Sequence, residues 1–340
     1  MIACIGGAHL DRHGMLRGPL VLGTSNPGSV HVAMGGVARN VAESLARLGE
    51  NVTLVSRVGD DAAGRQVREH AARAGIDTTL FTTSRVHSTA SYTAILENNG
   101  ELVIGLADMD IYDEITPAVL EPALARLREH SHWFVDANVP GATIGWLLSV
   151  AGGILVTVDA ISVAKAPRLA PLLPGIFLLF ANLAQAAALC GAGTGACRVD
   201  TRVDASRPGQ PLAQAPPART DSLHDPASVD SRTQAAQDLE RFGARAGIVT
   251  AGAAGIAVWN GDSVQNLSAF PAHPRDVTGA GDALVAGTLF GILHGRSLFE
   301  AARMGLAAAA ITVESPQAAA PELTPDLLRE RLARNEHARS

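Results

Sequence analysis

Short apolar runs alternate with segments of helical periodicity along most of the chain. Residues 2–7 (IACIGG) and 51–59 (NVTLVSRVG) have the composition of strands, and between them the apolar residues of 37–48 recur at helical spacing. Strand, helix and strand in this order predict a βαβ unit. Four later runs repeat the strand pattern: HWFVDAN (132–138), GILVTVDA (153–160), GIFLLFAN (175–182) and AGIVTAG (246–252). A helical pattern, PAVLEPALARLREH (117–130), precedes the first of them.

Several of these apolar runs end in Asp, Asn or Thr. The carboxyl ends of parallel strands meet at one edge of a sheet, and the ligands of open α/β folds bind there. We therefore predict an α/β fold whose central sheet is mostly parallel. Its carboxyl edge should carry polar groups and a ligand site.

A different pattern covers residues 89–108, where apolar and polar residues alternate on both sides of Asn99-Gly100. Asn-Gly is a strong signal for a tight hairpin turn. The segment fits either a small antiparallel sheet that projects from the main domain or an ordinary hairpin at the edge of the main sheet. The alternation alone does not separate these two interpretations.

Two further segments depart from the alternation of strands and helices. Residues 143–164 carry a single charge, but Gly152-Gly153 interrupts them, so we expect a helix and a buried strand rather than a membrane span. Residues 192–233 contain no aromatic residue and are rich in Pro, Ala, Ser, Arg and Asp. This composition buries little apolar surface, so it predicts a disordered insertion within a single domain that covers 1–340.

The composition narrows the class of partner. Of 340 residues, 47% are hydrophobic and 18% are charged, which is enough for a large core, and the net charge is −6. Binding to nucleic-acid phosphates needs a basic surface, so we expect a small molecule as the partner, and neither a nucleic acid nor a membrane. Three cysteines without a CxxC spacing indicate a reducing compartment, and we expect a cytoplasmic protein.

Residues 276–282 (DVTGAGD) place a bare backbone and a carboxylate at the start of an apolar helix. Because Gly279, Ala280 and Gly281 have little or no side chain, the N–H groups of the turn and the positive end of the helix favour an anion such as phosphate. Asp282 would lie beside that anion and accept the proton of an attacking hydroxyl. The alternative is a tight loop in which Asp282 only caps the helix.

Other short patterns predict further binding groups at the same sheet edge: a second turn with a bare backbone, two glycines and an amide at a helix start, and an acid after the first strand. These are Thr250, Gly252 and Gly255; Gly35, Gly36 and Asn40; and Asp11. Each pattern is weak alone, because glycines before a helix more often serve packing. Together they supply an acid, an amide and two anion-type turns to one cleft.

GGVARNVAESLARLG (35–49) and DVTGAGDALVAG (276–287) resemble the two signatures of the PfkB, or ribokinase-like, carbohydrate and nucleoside kinases. The similarity covers nearly the whole chain outside 192–233. Within that family, four strings are most similar to the pseudouridine kinases: SNPG (25–28), ADMDI (107–111), VDAN (135–138) and VDAISVAK (158–165). The resemblance implies a ribokinase-like αβα sandwich with a small antiparallel β lid from about 10–35 and 89–108. It also implies ATP- and Mg²⁺-dependent phosphorylation of the 5′-hydroxyl of pseudouridine.

The resemblance also implies roles for individual residues. Asp282 would be the catalytic base, and Gly279, Ala280 and Gly281 would form the anion hole for the transferred phosphoryl group. The substrate would be bound by Asp11, Asn26, Gly35, Gly36, Asn40, Asp108 and Asn138. The nucleotide would be bound by Asn182, Thr250, Gly252, Gly255, Thr278, Gly279 and Gly281. Asp276 and Thr278 match positions that hold a monovalent cation, such as K⁺, in many members.

The chain departs from the family pattern at Gln185. Members commonly carry Asn-x-x-Glu where this chain has Asn182-Leu-Ala-Gln185, and a neutral amide cannot supply the charge that helps to organise Mg²⁺. Three functions therefore stay open: a pseudouridine kinase, a kinase of another nucleoside or a free sugar, and a non-catalytic ligand-binding protein on the same fold. Because lids of this family often pair between subunits, a homodimer through the lid is expected.

Overall fold

The fold comes from a computed structural model, which describes residues 1–193 and 229–337. The strands of these two ranges are β1 (Ile2–Ile5), β2 (His9–Leu16), β3 (Gly28–Gly35), β4 (Val52–Val55), β5 (Arg57–Gly59), β6 (Thr82–Ser84), β7 (Ser91–Leu96), β8 (Leu102–Asp108), β9 (His132–Asp136), β10 (Leu155–Asp159), β11 (Leu178–Asn182), β12 (Gly247–Thr250), β13 (Ile256–Trp259) and β14 (Val264–Leu267). The helices are α1 (Val37–Arg47), α2 (Ala62–Arg73), α3 (Pro117–Leu120), α4 (Leu124–Leu127), α5 (Gly141–Val150), α6 (Leu183–Gly193), α7 (Val229–Arg241), α8 (Ala280–Leu293), α9 (Leu298–Val313) and α10 (Pro325–His337).

Eight strands form the central sheet in the order β14-β13-β12-β11-β10-β9-β1-β4. The six strands from β12 to β4 run parallel, and β13 and β14 are antiparallel additions at one edge. The strands predicted from apolar runs are these parallel strands. The mostly parallel α/β sheet is confirmed.

Side chains that alternate along β1 enter two separate cores. Ile2 and Cys4 pack with residues of α1, α8, α9 and α10, whereas Ala3 and Ile5 face the other layer, which includes α5, α6 and α7. Successive strand residues point to opposite faces, and both faces of this parallel sheet are covered by helices. The arrangement is the expected αβα sandwich.

A second sheet of four strands projects from the sandwich in the order β3-β2-β7-β8. It consists of two antiparallel hairpins, β2–β3 and β7–β8, whose inner strands β2 and β7 pair in parallel. Gly100 closes the second hairpin with a left-handed φ of 86°, and its N–H donates to the carbonyl of Glu97 (2.9 Å). The segment 89–108 therefore belongs to a projecting lid, not to the edge of the main sheet.

Two predicted elements are shorter in the structure. The strand predicted at 51–59 ends at Val55, because Ser56 turns its hydroxyl to the carbonyl of Gly6 (2.6 Å) and the next three residues pair with β6 instead. The helical pattern at 117–130 gives only the single turns α3 and α4. Pro122 lies between them and cannot donate a helical hydrogen bond.

Two predictions concern the chain's unusual segments. Residues 143–164 contain α5 and β10, and among the residues that the structure describes no helix is long and apolar enough to cross a membrane. The predicted insertion at 192–233 begins and ends in helices, since α6 reaches Gly193 and α7 starts at Val229. Its remaining part, 194–228, lies outside the described residues.

Candidate active site

Helix α8 begins directly after Gly279, the first glycine of the predicted anion turn. Gly279 has a left-handed backbone (φ 80°), and a Cβ atom there would collide with the backbone of Ala318, so only glycine fits. Within the described residues, the N–H groups of Gly281 and Asp282 have no acceptor. Free donors at the N-terminus of a long helix can bind an anion, which suits the predicted anion hole.

The carboxylate of Asp282 is bound by Asn40 of α1. The Asn40 Nδ2 atom donates to Asp282 Oδ2 at 2.6 Å. The guanidinium of Arg39 donates to the amide oxygen of the same Asn40, so the amide can only turn its N–H₂ group toward Asp282. Arg39 is 3% exposed and also donates to the carbonyl of Gly35 (3.2 Å). The buried arginine therefore fixes the orientation of the amide.

Glu43, one turn further along α1, holds Arg39 in place. It is 1% exposed and contacts Arg39, Arg47 (2.5 Å) and His70 (3.0 Å). Burial opposes its ionisation, but the hydrogen bonds from His70 and Arg47 and the charge of Arg39 outweigh burial and lower the pKa of Glu43 to about 2. An ionised carboxylate with several cationic partners is the condition under which a buried arginine is tolerated.

The start of α1 lies very close to the loop after β1. Gly36 has a left-handed φ of 100°, and a Cβ atom there would collide with the carbonyl of Gly7. Beneath this contact lies Asp136, fully buried at the end of β9, whose Oδ2 accepts from the N–H groups of Gly7 (2.8 Å) and Ala38 (2.9 Å). One carboxylate thus joins β9, the β1 loop and α1, although burial raises its pKa.

A second acid, Asp159 at the end of β10, lies in the same cleft as Asp282. Burial raises the pKa of Asp282 to about 6 against the opposing effects of Asn40 and Arg39. Burial also raises the pKa of Asp159 to about 7, and the negative charge of Asp282 adds to that shift. Asp159 Oδ1 accepts from the N–H of Ile161 (2.7 Å), a β-branched residue held at φ 59°. Such strain is concentrated at functional sites.

Two neighbouring cavities lie at the start of α8. A cavity of about 160 Å³ is lined by polar groups that include Asp159, Asn182, Gln185 and Asp282. A larger cavity of about 520 Å³ is mostly apolar and contains the predicted nucleotide turns: Thr250, Gly252, Gly255, Ala280 and Gly281. Both cavities share Thr250 and Gly281. A nucleotide whose ring occupies the larger cavity would therefore extend its phosphates toward the N-terminus of α8.

The Asn182-x-x-Gln185 pattern forms a capping box at the start of α6. Gln185 Oε1 accepts from the N–H of Asn182 (2.7 Å), and Asn182 Oδ1 accepts from the N–H of Gln185 (2.9 Å). These reciprocal bonds satisfy donors at a helix N-terminus, and glutamine makes them as well as glutamate does. Gln185 therefore keeps a structural function but supplies no charge.

The lid contributes Asp11 to the cleft. Its Oδ1 atom is buried and has no hydrogen-bond partner within the described part of the chain, although His9 Nε2 lies 3.2 Å away. His9 Nδ1 in turn contacts the hydroxyl of the fully buried Tyr112 (3.0 Å). Gly35 leaves room for the acid, because a Cβ atom there would collide with the Asp11 carboxylate. A buried carboxylate oxygen that accepts no hydrogen bond suits a ligand hydroxyl.

Three of the residues predicted to bind the substrate, Asn26, Asp108 and Asn138, lie in different places. Asn26 lies in the exposed loop between β2 and β3, where its amide bonds the backbone of Val21 (2.8 Å). Asp108 lies on the opposite lid face from Asp11, because the strand register pairs Asp11 with Tyr92 and Tyr92 with Ala107. The structure does not bring these two to the cleft beside Asp282.

Asn138 is 6% exposed and follows Asp136 at the carboxyl edge of the sheet. Its amide oxygen accepts from Lys165, and its Nδ2 lies beside Gly7. Burial lowers the pKa of this lysine. Asp276 and Thr278 lie at the entrance to α8, where Asp276 Oδ1 accepts from the N–H of Thr278 (2.8 Å).

Sequence patterns did not single out Arg39, Glu43, Asp136 or Tyr112. An Arg–Glu pair four residues apart on a helix is usually a surface pair, so its burial gave no sequence signal. Asp136 had one available signal, an acid at the end of an apolar strand. Tyr112 had none, because its partner His9 lies 103 positions away.

Comparison with protein families and curated proteins identifies kinases. The pfkB family carbohydrate kinase model matches residues 1–325. The uncharacterized sugar kinase YeiI of Escherichia coli K12 is 28% identical over 323 residues, which cover 95% of this chain and 80% of that protein. Pseudouridine kinase of the same strain is 30% identical over 190 residues, which cover 56% of this chain and 61% of that enzyme.

Solved structures share the architecture. A carbohydrate kinase from Agrobacterium tumefaciens is 35% identical with a TM-score of 0.78, and the match covers 98% of this chain and 96% of that chain. Ribokinase of Arabidopsis thaliana complexed with ribose and ATP has a TM-score of 0.80 at 19% identity, covering 97% and 98% of the two chains, and shows the same fold. With both signatures meeting at Asn40 and Asp282, this chain belongs to the pfkB family of carbohydrate kinases.

Proposed function

We propose that this pfkB family kinase transfers the terminal phosphoryl group of ATP to the 5′-hydroxyl of pseudouridine. The observation that carries the proposal is the position of Asp282. It lines the small cavity directly after Gly281, which both cavities share, and it accepts a hydrogen bond from Asn40. The choice of nucleoside is supported by the similarity to the Escherichia coli pseudouridine kinase.

The chain's own residues would perform two tasks. Asp282, with a pKa of about 6, is largely ionised at neutral pH and would accept the proton of the attacking hydroxyl. The N–H groups of Gly281 and Asp282 would hold the negative charge of the transferring phosphoryl group. Phosphoryl transfer depends mainly on such positioning and charge stabilisation. Asp11 would bind a sugar hydroxyl through the carboxylate oxygen that accepts no hydrogen bond.

We also propose Mg²⁺ as the metal of the reaction. Among the described residues, no group of three or more His, Cys, Asp or Glu side chains could hold a metal ion. This fits Mg²⁺, which commonly binds one or two carboxylates together with substrate phosphates and water. Asp159 and Asp282 line the small cavity, and Asp159 would supply the charge that Gln185 lacks. Bound there, Mg²⁺ would neutralise phosphate charge.

A monovalent cation such as K⁺ at Asp276 and Thr278 is part of the same proposal. The bond between these two residues fixes a carboxylate next to the anion turn. A cytoplasmic location is proposed as well, because it supplies ATP and keeps the thiol of the buried Cys4 reduced.

A homodimer through the lid is supported by the outer lid face. Val30 and Val32 of β3 and Ile104 and Leu106 of β8 are 58–68% exposed, and the strand register places them on the face opposite Asp11. An exposed apolar face of this kind marks an interaction surface.

A kinase of a free sugar is the second candidate. It is favoured by the uncharacterized sugar kinase YeiI, whose match covers 95% of this chain, whereas the match to Escherichia coli pseudouridine kinase covers 56%. The two candidates share Asp11, Asn40 and Asp282 and differ only in what occupies the space beyond the sugar.

An ADP-release assay with pseudouridine, uridine and ribose separates the candidates. Pseudouridine carries an additional ring N–H, and a buried acceptor left unpaired by uridine would lower its binding. We expect kcat/KM for pseudouridine to exceed both others by at least about tenfold. Higher or equal activity on ribose selects the sugar kinase. No turnover of any sugar or nucleoside selects a non-catalytic binding protein.

A further inference from the structure

Tyr92 is the single Phe, Tyr or Trp residue on the four lid strands. The register of β2 and β7 pairs it with Asp11, so both side chains belong to the face of the lid that looks into the cleft. The opposite lid face carries Val32 and Leu106 instead.

The ring of Tyr92 lies over Gly105 of the neighbouring strand β8. A Cβ atom on Gly105 would lie 2.5 Å from Tyr92 Oη, 3.1 Å from Cζ and 3.2 Å from Cε2, so any larger residue would displace the ring. The residues around Gly105 on this face are small, since Ala107 pairs with Tyr92 and Ala94 pairs with Gly105. The ring therefore rests on bare backbone, and Tyr92 is partly exposed.

We infer that Tyr92 is the surface on which the base of a nucleoside substrate stacks, and that the lid thereby selects nucleosides over free sugars. This inference rests on the proposed function. If Asp11 binds a ribose hydroxyl and Asp282 takes the proton of the 5′-hydroxyl, the base extends from the carbon next to the 2′-hydroxyl, on the side of the lid. β2 and β7 are neighbouring strands about 4.8 Å apart, and a base that extends past Asp11 across β7 would approach the ring over Gly105.

A different explanation is that Tyr92 only covers Gly105 and stabilises the lid. An aromatic residue can compensate in this way for a glycine in a strand. The two roles differ in their effect on selectivity. Loss of a stacking surface weakens substrates that carry a base, whereas a weakened lid would impair nucleosides and free sugars alike.

The test compares kcat/KM for pseudouridine and for ribose in the wild type and in Tyr92→Phe, Tyr92→Leu and Tyr92→Ala. Tyr92→Phe keeps the ring, and Tyr92→Leu covers Gly105 without one. Base stacking on an aromatic side chain is strong enough that we expect Tyr92→Leu and Tyr92→Ala to lower kcat/KM for pseudouridine by about tenfold or more, mainly through KM. The value for ribose should change less than about threefold, and Tyr92→Phe should resemble the wild type.

Thr93→Ala, on the other face of the same strand, is the matched control and should change neither substrate. Melting temperatures show whether each variant is folded. Equal losses for pseudouridine and ribose in Tyr92→Leu, or an unchanged ratio in Tyr92→Ala, overturn the stacking role while leaving the proposed function intact. A wild-type enzyme that phosphorylates ribose but no nucleoside overturns the proposed function itself.

Discussion

The side-chain amide of Asn40 donates a 2.6 Å hydrogen bond to the carboxylate of Asp282, although the two residues are 242 positions apart. One belongs to the glycine-glycine segment that opens α1 and the other to the anion turn that opens α8. Their contact brings two helix N-termini to one point at the carboxyl edge of the sheet. Asn40 favours the ionised form of Asp282, which is the form that can accept a proton.

Replacing Asp282 with Asn should lower kcat by at least about a hundredfold, because the amide cannot accept the proton, while nucleoside affinity changes little. Steady-state kinetics and calorimetric binding measure the two effects. Asp326→Asn, on an exposed part of α10, is the control and should leave both unchanged. Near-normal turnover in Asp282→Asn would remove Asp282 from its proposed role.

Asp282→Asn should be at least as stable as the wild type near pH 8. Because the folded-state pKa of Asp282 is raised to about 6, the unfolded chain releases this proton first, and stability falls as pH rises from about 4 to 6. Above this pH range the ionised Asp282 lowers the free energy of unfolding by the full amount, and asparagine, which does not ionise, removes this loss. A melting temperature of Asp282→Asn clearly below that of the wild type near pH 8 would contradict this account.

At saturating Mg²⁺, which keeps Asp159 ionised in the proposed mechanism, the pH dependence of kcat/KM should show an acid limb with a midpoint near pH 6, since protonated Asp282 is inactive. Asn40→Ala removes a bond that stabilises the carboxylate, so it should move the limb to higher pH. Rates measured between about pH 5 and 9 test both statements. An acid limb that stays in place in Asn40→Ala would show that this hydrogen bond does not set the proton affinity.

Magnesium dependence should respond to Gln185 and Asp159, which line the small cavity together with Asp282. Gln185→Glu restores a charge and should lower the Mg²⁺ concentration for half-maximal rate, whereas Asp159→Asn should raise it severalfold. The rise in melting temperature on addition of Mg²⁺ and ADP gives a second measurement that does not depend on turnover. An unchanged Mg²⁺ response in Asp159→Asn would exclude this acid as the source of charge.

The outer lid face should govern the oligomeric state. Val32→Lys together with Leu106→Lys places two charges on the apolar face, and we expect monomers in sedimentation velocity where the wild type sediments as a dimer. Val86→Lys is a suitable control, because Val86 is 82% exposed but lies outside the lid sheet. A monomeric wild type would refute the lid dimer directly.

The parallel sheet and the hairpin at 89–108 could be predicted from local spacing, whereas the projecting lid was implied by the resemblance to the PfkB kinases. Apolar strands, an Asn-Gly turn and glycines before a helix carry their structural meaning within a few residues. Gly279 illustrates this. The DVTGAGD motif already specifies the turn in which a Cβ atom on this residue would collide with the neighbouring backbone.

What the sequence did not predict depends on register and on distant partners. Asp108 and Ala107 are adjacent, and only the pairing of β7 with β8 decides which shares a face with Asp11. The burial of Arg39 and Glu43 arises from tertiary packing, which a helical Arg–Glu spacing does not reveal. Proline interrupts helices, and Pro122 is present in the sequence. The helical spacing of the apolar residues around it nevertheless indicated one continuous helix.

The contact of α1 with α8 also determines when the protein can first work during its synthesis. The apolar face of α1, with Val41 and Leu45, packs in one core with α8, α9 and α10 from the other end of the chain. A ribosome-bound chain that stops before Ala280 therefore exposes this face and lacks Asp282, so it has neither a finished core nor a base. Such incomplete intermediates are prone to association, which makes the interval before α8 emerges the period in which a chaperone would be most useful.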